Sequence, residues 1–503
     1  MYFSFQSFTG CYASAILPHM RDRGSLSLVL FVCACASAFG QGTTSRVLGT
    51  VQDSSGAVVP AASVKLINEG THLTFETKTS ASGAYAFEAV QTGTYQLDVE
   101  ASGFRKFSSR NNLVDIGVPT TVNVKLELGT LVDTVEVESS AEAVQTSNSG
   151  NYGNLISGTA VKDLPIVGSR GRNPLDLVVT QPGVVSGAPT GGGIYVHGAR
   201  DRAWNYTLDG IDTNDSSQGG SNTTSFRVNP DMLDEMRILT GNNTAENGRN
   251  SGGQVAMVTR SGTNNYHGDG FWFYRTPLLN ANEWQNNLAN LGKAQLQQNI
   301  FGGGIGGPIV KNKTFFFFQL QELRARSSAA TSRTVYTATA RTGVLRYVKG
   351  GRNQPAGTST ASVDANGNPL PGLSIGTYNV AANDPQHIGL DPTVLAEMKN
   401  EPLPNQFNVG DGLNTAGYIF SAQASERQHD QTIKIDQIVN AKNTVYGRVA
   451  WGRDDSLCDV VNTGQPIFPG GPCLVNTLRG PRNFAINWRF TPTSRMTNEL
   501  VVG

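Results

Sequence analysis

The chain has 503 residues, with 39 basic and 39 acidic side chains and a formal net charge of zero. That balance gives no electrostatic reason to expect a nucleic-acid partner. Its 57 glycines, with abundant Asn, Ser and Thr, suit strands and turns and leave few windows that read as helix.

Arg21 and Arg23 precede the apolar run Leu26 to Ala38, and Ala38-Phe39-Gly40 has the small-x-small form of a cleavage signal. Residues 1–40 are therefore expected to be a signal peptide that leaves Gln41 as the first mature residue. Met20 is a natural start, because Met20 to Gly40 alone has signal-peptide proportions. The run is too short to span a bilayer comfortably. Val32-Cys33-Ala34 before Cys35 is a poor lipoprotein signal.

Export changes how the cysteines read. Cys11, Cys33 and Cys35 leave with the signal, and Cys458 and Cys473 remain in a Gly/Pro/Asn-rich stretch. In an oxidising compartment this pair is expected to close a disulfide across a surface loop, worth about 3 kcal/mol in the entropic model. No histidine lies near either cysteine, which disfavours a metal site.

Residues 41–129 read as a small β-sandwich. Val64 and Leu66, Leu73 and Phe75, Tyr85 and Phe87, the set Tyr95, Leu97, Val99, and the set Val122, Val124, Leu126, Leu128 each alternate with polar residues. Turns fall at Asp53-Ser54-Ser55-Gly56, Ser80-Ala81-Ser82-Gly83 and Thr92-Gly93, each with a glycine where positive φ is expected. The stretches GTVQDSSGAVVPAASVKLIN and TSASGAYAFEAVQTGTYQLDVEASGF, with the final strand, resemble the carboxypeptidase regulatory-like domain. That resemblance implies a transthyretin-like fold, no peptidase activity, and kinship with carbohydrate-binding folds. The first reading is a passive spacer. Tyr85, Phe87 and Tyr95 sit on expected core faces, so no aromatic sugar platform stands out.

A bridge at 130–139 contains Leu131-Val132-Asp133-Thr134-Val135-Glu136-Val137, in which apolar and acidic residues alternate. Residues 140–265 then read as a mixed α/β unit, with short helices near Gly158–Leu164 and Pro174–Thr180. IYVHGARDRAWNYTLDGIDTND reads as two strands about a turn, and NPDMLDEMRILTGNNTAENGRNSGGQVAMVTRSGTN as helix, strand, loop and strand. The order of LPIVGSRGRNPLDLVVTQPGVV, VHGAR, LDGID, MLDEMRILTGNNTAENGRNSGGQVAMVTRSGTN and YHGDGFWFYR resembles the plug and first barrel strand of the Oar-like TonB-dependent receptors, across most of 140–325. In such a receptor the bridge is where a TonB box would lie. Asp133, Thr134, Val135, Glu136 and Val137 are thus candidates to pair, by β-augmentation, with a periplasmic TonB energy-transducing partner. The other reading of the same residues is one more strand of the sandwich.

Two plug-region motifs invite other chemistry. Asp209, Asp212, Asn214 and Asp215 form an acidic turn with oxygen ligands suited to calcium, but the spacing does not match an EF-hand loop, and a plain Asp/Asn/Gly turn is preferred. Gly302, Gly304 and Gly307 spell G-x-G-x-x-G, yet no βαβ unit surrounds them and Pro308 follows, so a dinucleotide site is rejected. No cofactor is expected.

Residues 266–503 carry the period-two pattern of a membrane barrel. Phe484, Ile486, Trp488 and Phe490 alternate with Asn483, Ala485, Asn487 and Arg489. Val445, Gly447, Val449 and Trp451 alternate with Thr444, Tyr446, Arg448 and Ala450, and Ile433 and Ile435 with Thr432, Lys434 and Asp436. Phe316, Phe318 and Leu320 face opposite to Gln319 and Gln321. Phe271-Trp272-Phe273-Tyr274 suits an interfacial girdle. FGGGIGGPIVKNKTFFFFQLQELR resembles the family's second and third strands about a Lys311-Asn312-Lys313 periplasmic turn, with 327–427 as a long extracellular loop. Six or seven candidate strands precede Gly503, against the roughly 22 of a closed receptor of this type, so a fragment or truncated product is expected.

No H-E-x-x-H, H-x-x-E or Walker A pattern occurs, so no enzyme is expected. The fold expected is mainly β: a transthyretin-like sandwich, an α/β plug and part of an antiparallel outer-membrane barrel. The function implied is an outer-membrane receptor or transporter with a periplasmic N-terminal domain. Its partners would be TonB, membrane lipid and an unidentified extracellular ligand, for which a glycan is one class to test. A surface adhesion or structural protein of the same architecture is the alternative.

Overall fold

The computed structural model describes residues 43–129, 134–138, 152–164, 166, 171–186, 193–200, 202–214, 226–242, 251–282, 284–288, 292–350, 362–494 and 496–503. The signal-peptide reading of 1–40, Asp133 of the bridge and Asp215 of the acidic turn lie outside them.

The first unit is a two-sheet sandwich. Its strands are β1 Thr44–Asp53, β2 Ser63–Asn68, β3 Thr74–Lys78, β4 Ala84–Gln91, β5 Gly93–Glu100, β6 Lys106–Val114, β7 Thr120–Thr121, β8 Val124–Leu126 and β9 Thr134–Glu138. One sheet runs β4-β1-β7 with β8 also on β1, and the other β3-β2-β5-β6-β9. Alternation decides which side chains meet. Val47, Val64, Leu66, Phe87, Tyr95, Leu97, Val99, Val124 and Leu126 form one buried cluster between the sheets. The expected run stops short at Leu128, which is 72% exposed because β8 ends at Leu126. Gly56 and Gly83 adopt φ of 90° and 71°, as the two turns require.

The second unit has strands β10 Tyr152–Ser157, β11 Val184–Ser186, β12 Ile194–Val196, β13 Asn205–Leu208, β14 Ile211–Asp212, β15 Leu233–Gly241 and β16 Gln254–Thr259. Its sheet runs β10-β15-β16-β13-β14, with β11 and β12 paired apart. Helix α1, Gly158–Asp163, starts where the Ser157 side chain accepts the Ala160 N–H. Pro174–Thr180 is a 3-10 helix capped by Asn173.

Two expectations are corrected here. IYVHGARDRAWNYTLDGIDTND carries three strands rather than two, and only the last two pair with each other across a turn. Ile194–Val196 pairs with β11, while Asn205–Leu208 lies parallel to β16 and turns at Asp209-Gly210 into β14. The helix expected before Met236 shrinks to the 3-10 turn Pro230–Met232, because Leu233, Met236 and Ile238 are claimed by the sheet's buried face.

The third unit is a curved antiparallel wall of β17 His267–Arg275, β18 Leu296–Val310, β19 Thr314–Tyr336, β22 Thr415–Asn440, β23 Asn443–Leu457, β24 Thr477–Arg479, β25 Arg482–Thr493 and β26 Met496–Val502. A separate hairpin joins β20 Val344–Val348 to β21 Ile375–Asn379. Ile433, Ile435, Val449, Phe484, Ile486 and Trp488 point outward and are exposed, whereas Thr432, Lys434, Arg448, Ala450, Ala485 and Asn487 point inward and are buried. A membrane barrel requires that inverted arrangement. The 327–427 loop is shorter than expected. β19 and β22 stay paired out to Tyr336 and Thr415, so the connecting segment is 337–414. Among the described residues no helix is long and apolar enough to cross a membrane, which says nothing of strands.

Candidate functional site

The α/β unit sits against the inner face of the barrel wall and is held there by ion pairs. Asp209 lies in the β13–β14 turn with φ 50°, followed by Gly210 at 79°, and is 1% exposed. Its Oδ1 accepts the Thr259 N–H at 2.9 Å and its Oδ2 the Thr259 hydroxyl at 2.8 Å. From the wall, Arg448 Nε donates to the same Oδ2 at 2.6 Å, and Lys434 Nζ donates to the Thr259 carbonyl at 3.0 Å. Burial alone would drive the Asp209 carboxyl up. Lys434, Arg448 and the Thr259 donors outweigh it and hold the group below its ordinary value.

The other clamps have the opposite polarity, with basic plug residues reaching acidic wall residues. Lys162 Nζ and Arg260 Nη1 each lie 2.9 Å from an oxygen of Asp269 on β17. Arg227 is 3.6 Å from both Glu426 on β22 and Asp454 on β23. Arg172 pairs with Asp231 inside the plug and lies over the rings of Phe273 and Phe271 on β17, 4.4 and 5.6 Å from their centroids. Only alternate members of the expected girdle therefore face outward. Trp272 and Tyr274 do, while Phe271 and Phe273 serve the plug.

Below the plug, the sandwich meets both other units. Glu235 Oε1 accepts the Ile116 N–H at 2.8 Å, and Arg237 Nη1 donates to the Ile116 carbonyl at 3.2 Å. Gly70 accepts from the Asn264 N–H at 2.8 Å, and the Glu88 N–H donates to the Ser494 carbonyl at 3.2 Å. A cavity of about 300 Å³ remains between them, with Asn68, Gln91, Asp234, Lys434, Asp436 and Arg489 in its lining. Glu235 is 5% exposed. Burial, then Asp234 and Asp115, pushes its carboxyl up to about 8.

Of the candidate TonB-box residues, Thr134 to Val137 occupy an edge of the sandwich. Thr134–Glu138 runs parallel to β6, with Val135 opposite Phe107 and Glu136 opposite Ser108. β9 is the last strand on its side of the sheet, so among the described residues its other edge carries no strand. Cys458 and Cys473 form a disulfide with Cα atoms 4.8 Å apart. In the acidic turn, Asp212 accepts the Asn214 N–H at 2.8 Å, and the Asp209 oxygens are taken by Thr259 and Arg448. Among the described residues no group of three or more His, Cys, Asp or Glu is placed to hold a metal. Sequence reasoning placed Lys434 and Arg448 on the polar phase of their strands without assigning them partners. A cation on the inward phase of a lipid-facing strand is the signal that was available.

Three family models match in series: a carboxypeptidase regulatory-like domain over 46–127, a TonB-dependent receptor plug domain over 151–255 and an outer membrane beta barrel domain over 258–503. The chain is 27% identical over 304 residues to the TonB-dependent transporter Oar of Myxococcus xanthus, covering 56% of this chain and 27% of that protein. It thus spans about a quarter of that relative's length. Among solved structures it is similar to a ferric enterobactin receptor mutant of Pseudomonas aeruginosa, with TM-score 0.36 and 13% identity over 67% of this chain and 38% of the other. The Escherichia coli outer membrane transporter YddB gives TM-score 0.37 and 13% identity, over 67% and 36%.

Proposed function

We propose that this chain, which belongs to the TonB-dependent receptor family of the outer membrane, imports an extracellular ligand past a movable plug, driven by a periplasmic partner of the TonB type. The observation that carries this reading is the chemistry of the plug's seat. Discrete charge pairs, Asp209–Arg448, Lys162–Asp269 and Arg227–Glu426, hold the plug to the wall, and among the described residues Phe317 is the one wall side chain that joins the plug's buried apolar cluster. Such pairs fix one register, and each ion regains water when they part. A pull from the periplasm can then separate plug from wall without unfolding either.

The pull needs a handle, and β9 is the segment proposed for it. An extended partner strand can add to its open edge through main-chain hydrogen bonds. In a strand, successive residues turn their N–H and C=O groups to opposite sides. Val135→Pro and Glu136→Pro therefore each delete a donor, one facing β6 and the other the open edge. The test is energised uptake by cells, after a glycan, peptide and siderophore panel has supplied a bound ligand. One of the two proline variants should bind the ligand normally yet lose uptake, while Val135→Ala transports. Wild-type uptake by both proline variants would remove β9 from the mechanism. Ligand binding with no TonB-dependent uptake in the wild type would favour a surface adhesion protein.

A further inference from the structure

The outward face of the wall changes character part-way along its strands. Short connections at 311–313 and 441–442 close one end, and the sandwich contacts that end through Asn264 and Ser494. The long segments 337–414 and 458–476 leave from the other, which is therefore the extracellular end. Going outward from Thr314 on β19, the outward side chains are Phe316, Phe318 and Leu320, then Glu322, Arg324 and Arg326. A tilted strand crosses the apolar band in roughly 9–11 residues, so the change falls at the outer lipid–water boundary.

Register shows what gathers there. One row across five strands reads Trp272, Phe301, Glu322, His429, Arg453. The next reads Tyr274, Asn299, Arg324, Arg427, Asp455. Arg326 follows, opposite Ser425. Arg324 and Arg427 are direct cross-strand partners, an arrangement that is destabilising unless a negative group lies between them. The local carboxylates are already engaged. Glu322 contacts His429 and lies 4.0 Å from Arg324 Nε, and Asp455 receives Arg453 Nε at 2.9 Å. Arg326 and Arg427 have no ion pair among the described residues. The side chains border a concavity of about 650 Å³ on the exterior of the wall.

We infer that this patch binds the phosphate of an anionic lipid headgroup in the outer leaflet, with Arg324 and Arg427 as its principal ligands. A guanidinium fork suits a phosphate oxygen pair, and an anion between two opposed forks relieves their repulsion. The position selects lipid over free phosphate. The apolar band begins one pair lower, at Leu320, and Trp272 and Tyr274 flank the patch as interfacial aromatics, so acyl chains and headgroup would be met together. The strands that carry Arg324, Arg326, Arg427 and Arg453 are interior to the described sheet, whereas Trp272 and Tyr274 lie on its edge strand β17.

The test uses the whole protein purified from outer membranes in neutral detergent, titrated with bisphosphorylated lipid A, its dephosphorylated form, or inorganic phosphate. Bound lipid is read by native mass spectrometry and stability by thermal melting. Wild type should bind the bisphosphorylated lipid, with the other two at least tenfold weaker. Arg324→Gln with Arg427→Gln should weaken that binding by roughly tenfold or more, since every 1.4 kcal/mol is a factor of ten. Lys311→Gln with Lys313→Gln, on the periplasmic turn, should not change it. Arg427→Gln alone should raise the melting temperature in lipid-free detergent, by relieving the Arg–Arg repulsion, and should gain less from added lipid. Equal binding of the dephosphorylated lipid, equal competition by inorganic phosphate, or an undiminished affinity in the double variant would each overturn the assignment.

Discussion

The sandwich interior and the plug–wall interface are built from opposite materials. Between the sandwich sheets lie Val47, Leu66, Phe87, Leu97 and Leu126, with no charged residue in the cluster. Between plug and wall lie Asp209, Arg448, Lys434 and Asp269, and the match of hydrogen bonds is incomplete. Arg448 Nη1 and both amide atoms of Gln319 have no partner among the described residues. Apolar burial is non-directional and is lost only when the sheets separate. Buried charge pairs add little net stability but are strongly selective for one arrangement. The difference fits the proposal that one unit stays folded while the other contact opens.

The largest effect tests the apolar side. Phe87→Ala leaves a cavity in a fully buried cluster and should cost about 4 kcal/mol of sandwich stability, read by chemical denaturation. Plug packing should be untouched. Arg448→Met tests the charged side. It strands the buried Asp209 carboxylate and should cost about 3 kcal/mol, read by plug hydrogen exchange. Adding Asp209→Asn should recover most of that loss. An equal cost in single and double variants would show that packing, rather than charge pairing, seats the plug.

A third experiment sharpens the comparison at the sandwich–plug contact. Glu235 titrates near 8 because it is buried beside Asp234 and Asp115, well above its ordinary value of 4.5. A carboxyl raised in this way contributes stability that is fully present below pH 4.5 and is lost as the pH rises through about 8. Protection of the Ile116 amide, corrected for intrinsic exchange, should therefore fall between pH 5 and pH 9. Glu235→Gln should flatten that profile, and an unchanged profile would remove Glu235 from the contact. The smallest effect belongs to the exposed Lys65–Glu76 pair, 3.3 Å apart on the sandwich surface. Lys65→Met should change stability by less than about 0.5 kcal/mol.

The sequence alone determined the materials of this protein. Period-two alternation named the core of the sandwich at Val64, Leu66, Phe87 and Leu97, and the two faces of the wall at Ile433, Lys434, Phe484 and Asn487. A side chain's face follows from its parity in a strand, whatever that strand pairs with. Glycines at turns marked where chain direction reverses, because positive φ is a local demand. Tertiary structure decided everything that depends on who stands opposite. It placed Thr134–Glu138 parallel to β6, set Asn205–Leu208 beside β16 rather than β12, and carried β19 and β22 on to Tyr336 and Thr415. It also joined Asp209 to Arg448, 239 residues away, and set Arg324 against Arg427. A charge in a sequence announces only that it needs a partner or water. Which partner it finds is fixed by strand register and by how the units seat against each other, neither of which is a local property of the chain.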